Sequence, residues 1–144
     1  EDHVGDPTLE SKVLSAVIGR DIDEESLNII GNRIFNLQRA VMIREGHNGR
    51  EDDKLPEEWH NSPLKKGVMD PDCLVPDDVG QISSRIGAVV DRQEFEEMKD
   101  EYYKIRGWDV ATGFQTKSSL DAIDLNDIAT DLQQRGLLST SEKQ

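Results

Sequence analysis

Arg33-Ile34-Phe35-Asn36-Leu37-Gln38-Arg39-Ala40-Val41-Met42-Ile43-Arg44-Glu45-Gly46 is an amphipathic stretch that runs into a charged turn. Upstream of it, Leu27 and Ile30 continue the same series. Leu27, Ile30, Ile34, Leu37 and Val41 recur at alternating intervals of three and four, which places them on one stripe of an α-helix. Ile29, Phe35, Ala40, Met42 and Ile43 widen that stripe, so the helix is expected to be covered on more than one side. Asp23 precedes it as a cap, and Glu24 and Glu25 face the positive end of its dipole. Its roughly 22 residues would span about 33 Å and form the spine of the domain. Gly31 lies inside it, where glycine costs roughly 0.5–1 kcal/mol relative to alanine, and predicts a close helix crossing at that point.

Working outward, Asp6-Pro7 followed by Leu9, Val13, Leu14, Val17 and Ile18 predicts a short helix over 7–18. Asp6 caps it, Pro7 sits in its first turn and Gly19 ends it. Asp91 with Glu94 three residues on opens another helix, and Phe95, Met98, Tyr102 and Ile105 carry its stripe to Gly107. A weaker helix is expected over 117–123, and a last one from Asn126, as its cap, to Arg135, stopped by Gly136. Between 47 and 90 the periodicity vanishes under repeated glycine and proline, an unusually long irregular connection. Within it Gln81-Ile82-Ser83 and Ala88-Val89-Val90 suggest a small hairpin. The expected architecture is mainly α: an irregular or orthogonal bundle of four to five helices in one domain over 1–138, with a frayed tail over 139–144.

Composition narrows the function classes. Thirty acidic against 17 basic residues give a formal charge of −13, which disfavours nonspecific binding to phosphate backbones. Basic partners suit such a surface better, although acidic surfaces commonly serve solubility alone. No run approaches the roughly 18 apolar residues of a spanning helix, and the first residues do not read as a signal peptide, so the cytoplasm is the default location. The single cysteine, Cys73, cannot form an intrachain disulfide and cannot by itself hold an iron–sulfur cluster, which takes four thiolates.

The long helix and its turn are followed by Asp52-Asp53-Lys54-Leu55-Pro56-Glu57, then by Phe95-Glu96-Glu97-Met98-Lys99-Asp100-Glu101-Tyr102-Tyr103 and Arg106-Gly107-Trp108-Asp109. In order and spacing these blocks resemble the C-terminal region of the tungsten-containing aldehyde ferredoxin oxidoreductases, over roughly residues 9–138. Members of that family are several times longer. The resemblance implies an enzyme in which tungsten, or molybdenum, held by pterin dithiolenes oxidises aldehydes or related carbonyl compounds, and an iron–sulfur cluster passes electrons to ferredoxin. It also implies that those cofactors are held by segments upstream of this chain, whose own part is a helical domain packed on the N-terminal domains. The family's pterin-binding pattern, Asp-x-x-Gly-Leu followed by Cys or Asp, has no match here. Asp70-Pro71-Asp72-Cys73-Leu74 has an aspartate and a cysteine near that spacing but lacks the glycine. It also follows the long helix, where the family pattern precedes it. Val41-Met42 stands where the family commonly has an aromatic followed by Asn, and the 70–87 loop is longer than in simple aldehyde oxidoreductases; both suggest a branch with another substrate.

No catalytic or metal-binding constellation stands out. His47 and His60 share the loop with several carboxylates, but no recognised ligand spacing joins them, and solvated loop side chains are the expected reading. Asp21 to Glu25 lacks the glycine and terminal glutamate of a calcium loop. Tyr102, Tyr103 and Trp108 are expected as core and corner packing. The remaining candidates are Arg39, Arg44 and Glu45, at the end of the long helix. The guanidinium forks of the two arginines suit a substrate channel or a domain interface, while the simpler alternative has Arg44 bonding the last helical carbonyls and Glu45 pairing locally. The alternative function is a self-standing acidic interaction module without catalysis. A docking face for ferredoxin is disfavoured, since such carriers are commonly acidic themselves.

Overall fold

The computed structural model describes residues 5–67 and 69–140. Those residues form six α-helices and one two-stranded antiparallel sheet, the mainly helical architecture expected. Helix α1 covers Leu9–Ile18. It starts later than the sequence suggested: Thr8 is the cap residue, and the Asp6 carboxylate instead accepts from the Thr8 N–H and hydroxyl. Gly19, at φ +67°, ends it in the left-handed conformation that glycine adopts without penalty.

Helix α2, Glu24–Arg44, is capped by Asp23, which accepts from Ser26 N–H. Its buried residues are Asn36, Arg39, Ala40 and Ile43. Set against about 100° of turn per residue, these lie on the side opposite the Leu27–Val41 stripe. That stripe is open in this chain, with Ile34 55% exposed. Among the described residues the crossing expected at Gly31 is likewise absent: a side chain added there would meet nothing within 4 Å. Periodicity located the apolar face correctly, but the elements of this chain pack on the other one.

The segment 47–90 is not featureless. It holds a 3-10 turn at Gly49–Glu51, helix α3 at Glu57–Asn61, and strands β1 (Leu74–Pro76) and β2 (Ile82–Ser84). Ile82 is in a strand as expected, but its partner is upstream, with Val75 opposite Ser83. The reason is Asp77, whose carboxylate accepts from Val79 and Gln81 N–H and folds the chain into a tight turn ahead of β2. Residues 88–90 instead close the neck of this excursion. Leu64 N–H donates to Ala88 O, Gly87 N–H to Leu64 O, and Val90 N–H to Trp59 O.

Helix α4, Arg92–Arg106, is capped by Asp91 and ended by Gly107. Its buried residues are Lys99 and Tyr103, while Met98 and Ile105 on the predicted stripe are exposed. Helix α5, Lys117–Asp121, stops two residues short of the expected end and starts from a Thr116–Ser119 capping box. Helix α6 covers Asn126–Gln134. Asn126 is not its cap: Asp124 turns the chain at φ +56°, and Leu125 takes the entry position because its side chain is buried in the core. That core is small, comprising Ala40, Leu120, Ile123, Leu125, Ala129 and Leu132. Ser139 N–H donates to Gln115 O, so the tail is tied at its start; the rest of the expected fraying falls on 141–144, outside the described residues.

Candidate functional site

The charged turn after α2 is built around Asp53. Arg39, only 6% exposed, reaches it from α2 with both ends of its guanidinium, at 2.9 and 2.6 Å, and also donates to Gly113 O at 3.0 Å. The Tyr103 hydroxyl donates to the same carboxylate at 2.6 Å, His47 Nε2 lies 3.5 Å from it, and Lys99 Nζ donates to the Asp53 carbonyl. Beside this cluster, Arg50 bridges the turn to Glu96 and Asp100 on α4 and to Val110 O. Gly49 makes the close approach possible: at φ +59°, a Cβ there would lie 2.1 Å from Thr112 O.

Electrostatics follow the geometry. Burial would raise the Asp53 carboxyl, but hydrogen bonds from Arg39 and Tyr103 and the Arg39 charge outweigh it and hold the group below the usual carboxylate range. Burial first, then the bond to Asp53 and its charge, push the Tyr103 hydroxyl up, so it stays a proton donor. Arg39 also lies over the Trp108 ring, 4.8 Å from its centroid.

A second polar tie lies alongside. Asn36 Oδ1 accepts from Trp108 Nε1 at 2.9 Å and from Gln115 Nε2 at 2.8 Å, and Gln115 is 1% exposed. The two ties together join α2, the 47–53 turn, α4 and the 107–116 connection through hydrogen bonds where an apolar seam is usual. Each bond is directional, so the arrangement fixes orientation as well as association.

Two grooves open on the surface next to these ties. One, of about 560 Å³, is walled by Phe35, Met42, Phe95, Met98, Tyr102 and Trp108, with Asp53 and Lys54 at its edge. The other, of about 790 Å³, lies between α3, residues 88–91 and α4 around Trp59 and Leu64, and meets the first at Phe95 and Met98. The larger is farther from the ionic cluster. The smaller is the candidate site, because the Asp53 turn and the Arg39–Trp108 stack form part of its wall.

Of the residues singled out from sequence, Arg39 points inward to Asp53. Arg44 and Glu45 are exposed and pair with each other at 3.3 Å. Tyr103 and Trp108 are buried. Asp53, Lys99, Asn36 and Gln115 were not anticipated as tie points. Asp53 carried a signal, standing beside Asp52 after a helix with inward-capable arginines, but no spacing rule joins residues so far apart. Among the described residues no group of three or more His, Cys, Asp or Glu is placed to hold a metal ion.

A mainly helical module of this fold occurs as part of a longer chain of known structure. The structure superposes on a chain of the "Active site complex BamBC of Benzoyl Coenzyme A reductase in complex with 1,5 Dienoyl-CoA" with a TM-score of 0.64, covering 95% of this chain and 16% of that one. At 24% identity the likeness is one of fold. The family model "Aldehyde ferredoxin oxidoreductase, domains 2 & 3" matches residues 1–125, and the chain belongs to that family. Tungsten-containing aldehyde ferredoxin oxidoreductases of Thermococcus kodakarensis and Pyrococcus furiosus are each 30% identical to it over 96 residues. That match covers 67% of this chain and spans 13% of the length of each relative.

Proposed function

We propose that this chain is the C-terminal helical part of a cytoplasmic tungsten- or molybdenum-pterin, iron–sulfur oxidoreductase. The enzyme acts on aldehydes or related carbonyl compounds and delivers electrons to ferredoxin or a similar carrier. The domain walls one side of the substrate channel and packs on the N-terminal domains. The observation that carries the reading is the two-faced α2: its inner face is fixed by hydrogen bonds, while a full apolar stripe is left for something else to cover. A stripe of that length on a surface helix is characteristic of an interface. The family, whose relatives are far longer than the chain, supplies the rest of the reading.

The residues present do not make an iron–sulfur cluster site by themselves. One cysteine cannot supply four thiolates, and Cys73 accordingly has no part in a cluster within this chain. The contribution of the domain is positional. The groove of Phe35, Met42, Tyr102 and Trp108 excludes water beside the reacting carbonyl and favours an apolar substrate body. Arg39 acts from inside by holding the Asp53 turn that edges the groove, and Arg44 with Glu45 stands at the domain interface.

Blotting source cells with an antibody raised against this chain tests the reading. A band several times larger than 16.2 kDa is expected, together with tungsten or molybdenum in that protein and none at stoichiometric level in the 144-residue chain. A native band near 16.2 kDa would replace the enzyme with a self-standing interaction module.

A further inference from the structure

Among the described residues nothing requires Gly31 to be glycine. It lies well inside α2, its backbone is helical, and an added side chain would meet open space. Glycine weakens a helix, so a glycine on an apolar face marks a place where another backbone comes close. Leu27, Ile34 and Phe35 surround it on α2, and Ile105 lies opposite on α4, lining an open groove of about 810 Å³ whose polar lining residues include Asn28, Asn32 and Arg106. Ile105 is among the most exposed large apolar residues, and Ile30 and Ile34 extend the same surface towards Leu37 and Leu125.

We infer that this groove seats an α-helix from the N-terminal part of the same polypeptide, crossing α2 with its backbone close over Gly31. The inference rests on the function proposed above and specifies the contact. Three observations choose the occupant. The floor of the groove is the apolar stripe of Leu27, Ile30, Ile34 and Phe35 with Ile105, and Glu10 joins the polar residues that also line it, a pattern that suits an amphipathic helix more than a polar loop. The relatives hold most of their length outside the matched segment, the chain spanning 13% of them. A second copy of this chain would bring two bodies of formal charge −13 together, which like-charge repulsion opposes, whereas a tethered segment is already at high effective concentration.

Hydrogen exchange of α2 peptides tests the proposal in the native-length protein, with the 144-residue chain as comparison. The peptides are expected to exchange roughly tenfold or more slowly in the native-length protein. Gly31→Leu and Ile34→Asp should each abolish that difference, and Gly31→Leu should leave the melting of the 144-residue chain unchanged or raised. If Ile34→Asp removes the protection and Gly31→Leu does not, the crossing at Gly31 is overturned and the docked stripe stands. Protection that survives both substitutions overturns the docked stripe as well. A lower melting temperature of Gly31→Leu in the 144-residue chain would show that glycine serves this chain alone. Dimers of the 144-residue chain that Ile34→Asp dissolves would make a second copy the occupant. Either result overturns the proposal.

Discussion

Replacing Asp53 by alanine is the most direct trial of the ionic turn. It would leave the Arg39 guanidinium, 6% exposed, with Gly113 O as its remaining hydrogen-bond acceptor beside the Trp108 ring, and strip the Tyr103 hydroxyl of its acceptor. Breaking a buried pair from one side costs about 3–5 kcal/mol, because a desolvated charge stays behind. Asp53 is 25% exposed, so water reaches its place in part and the lower half of that range is expected. A chain of this length has roughly 7–20 kcal/mol of stability, at roughly 0.05–0.15 kcal/mol per residue, so the loss is severe without preventing folding. Arg39→Met should cost less, about 1–2 kcal/mol, because the carboxylate it abandons is partly hydrated and keeps Tyr103 and His47 nearby. The double variant Arg39→Met with Asp53→Ala should recover about 1–3 kcal/mol of the sum. Urea unfolding followed by Trp108 emission in a Trp59→Phe background measures all three, with circular dichroism in parallel because Arg39 touches the Trp108 ring. Asp53→Ala within about 1 kcal/mol of the parent, or Arg39→Met the more damaging change, would refute the view that the buried cation dominates.

The acid limb of stability should reflect Asp53. Its folded pKa is depressed, so its contribution is present above the unfolded value of about 3.9 and is lost as pH falls through the folded one. Urea midpoints measured from pH 7 downward should therefore hold to about pH 5 and then fall, less steeply in Asp53→Ala. Tyr103 works in the opposite sense: its raised pKa gives stability that is present below about pH 10 and lost above it, visible as a late phenolate absorbance rise. Gly49→Ala should lower stability by about 3 kcal/mol or more, since both its φ and the nearby Thr112 carbonyl exclude a Cβ; a variant that melts like the parent would contradict the packing. Acrylamide should quench Trp59, which is 56% exposed, far more than Trp108 at 5%, in the two single Trp→Phe variants.

The helices were legible because period and caps agree in them. Asp23 and Asp91 start theirs, Gly19 and Gly107 end theirs, and the intervals of three and four between define the stripes. What covers a stripe is a different question, and the sequence is silent on it. Leu27 to Val41 announces an apolar face, yet the packing side is the one bearing Asn36 and Arg39. Polar residues in helix interiors are ordinarily read as solvent-facing, so their burial against Asp53 and Gln115 was hidden until the chain was folded. The hairpin failed for a local reason: the aspartate turn at Asp77 outweighed the alternation that suggested a downstream partner. Arg39 was found as a special residue; its partner, fourteen positions on, was found only in three dimensions.

The neck formed by Leu64, Gly87 and Ala88 separates the β1–β2 excursion from the polar ties behind it. Arg39 to Asp53, Arg50 to Asp100 and Asn36 to Gln115 all join elements outside the excursion, and none passes through it. A protease that cuts near Val79, among the most exposed apolar positions, would sever the chain but not the body, and the two pieces would travel together through purification. Residues could be added or removed at the same tip without disturbing Asp53. The excursion is thus where the chain can change length, and with it the reach of its surface, while the ionic turn behind keeps its shape.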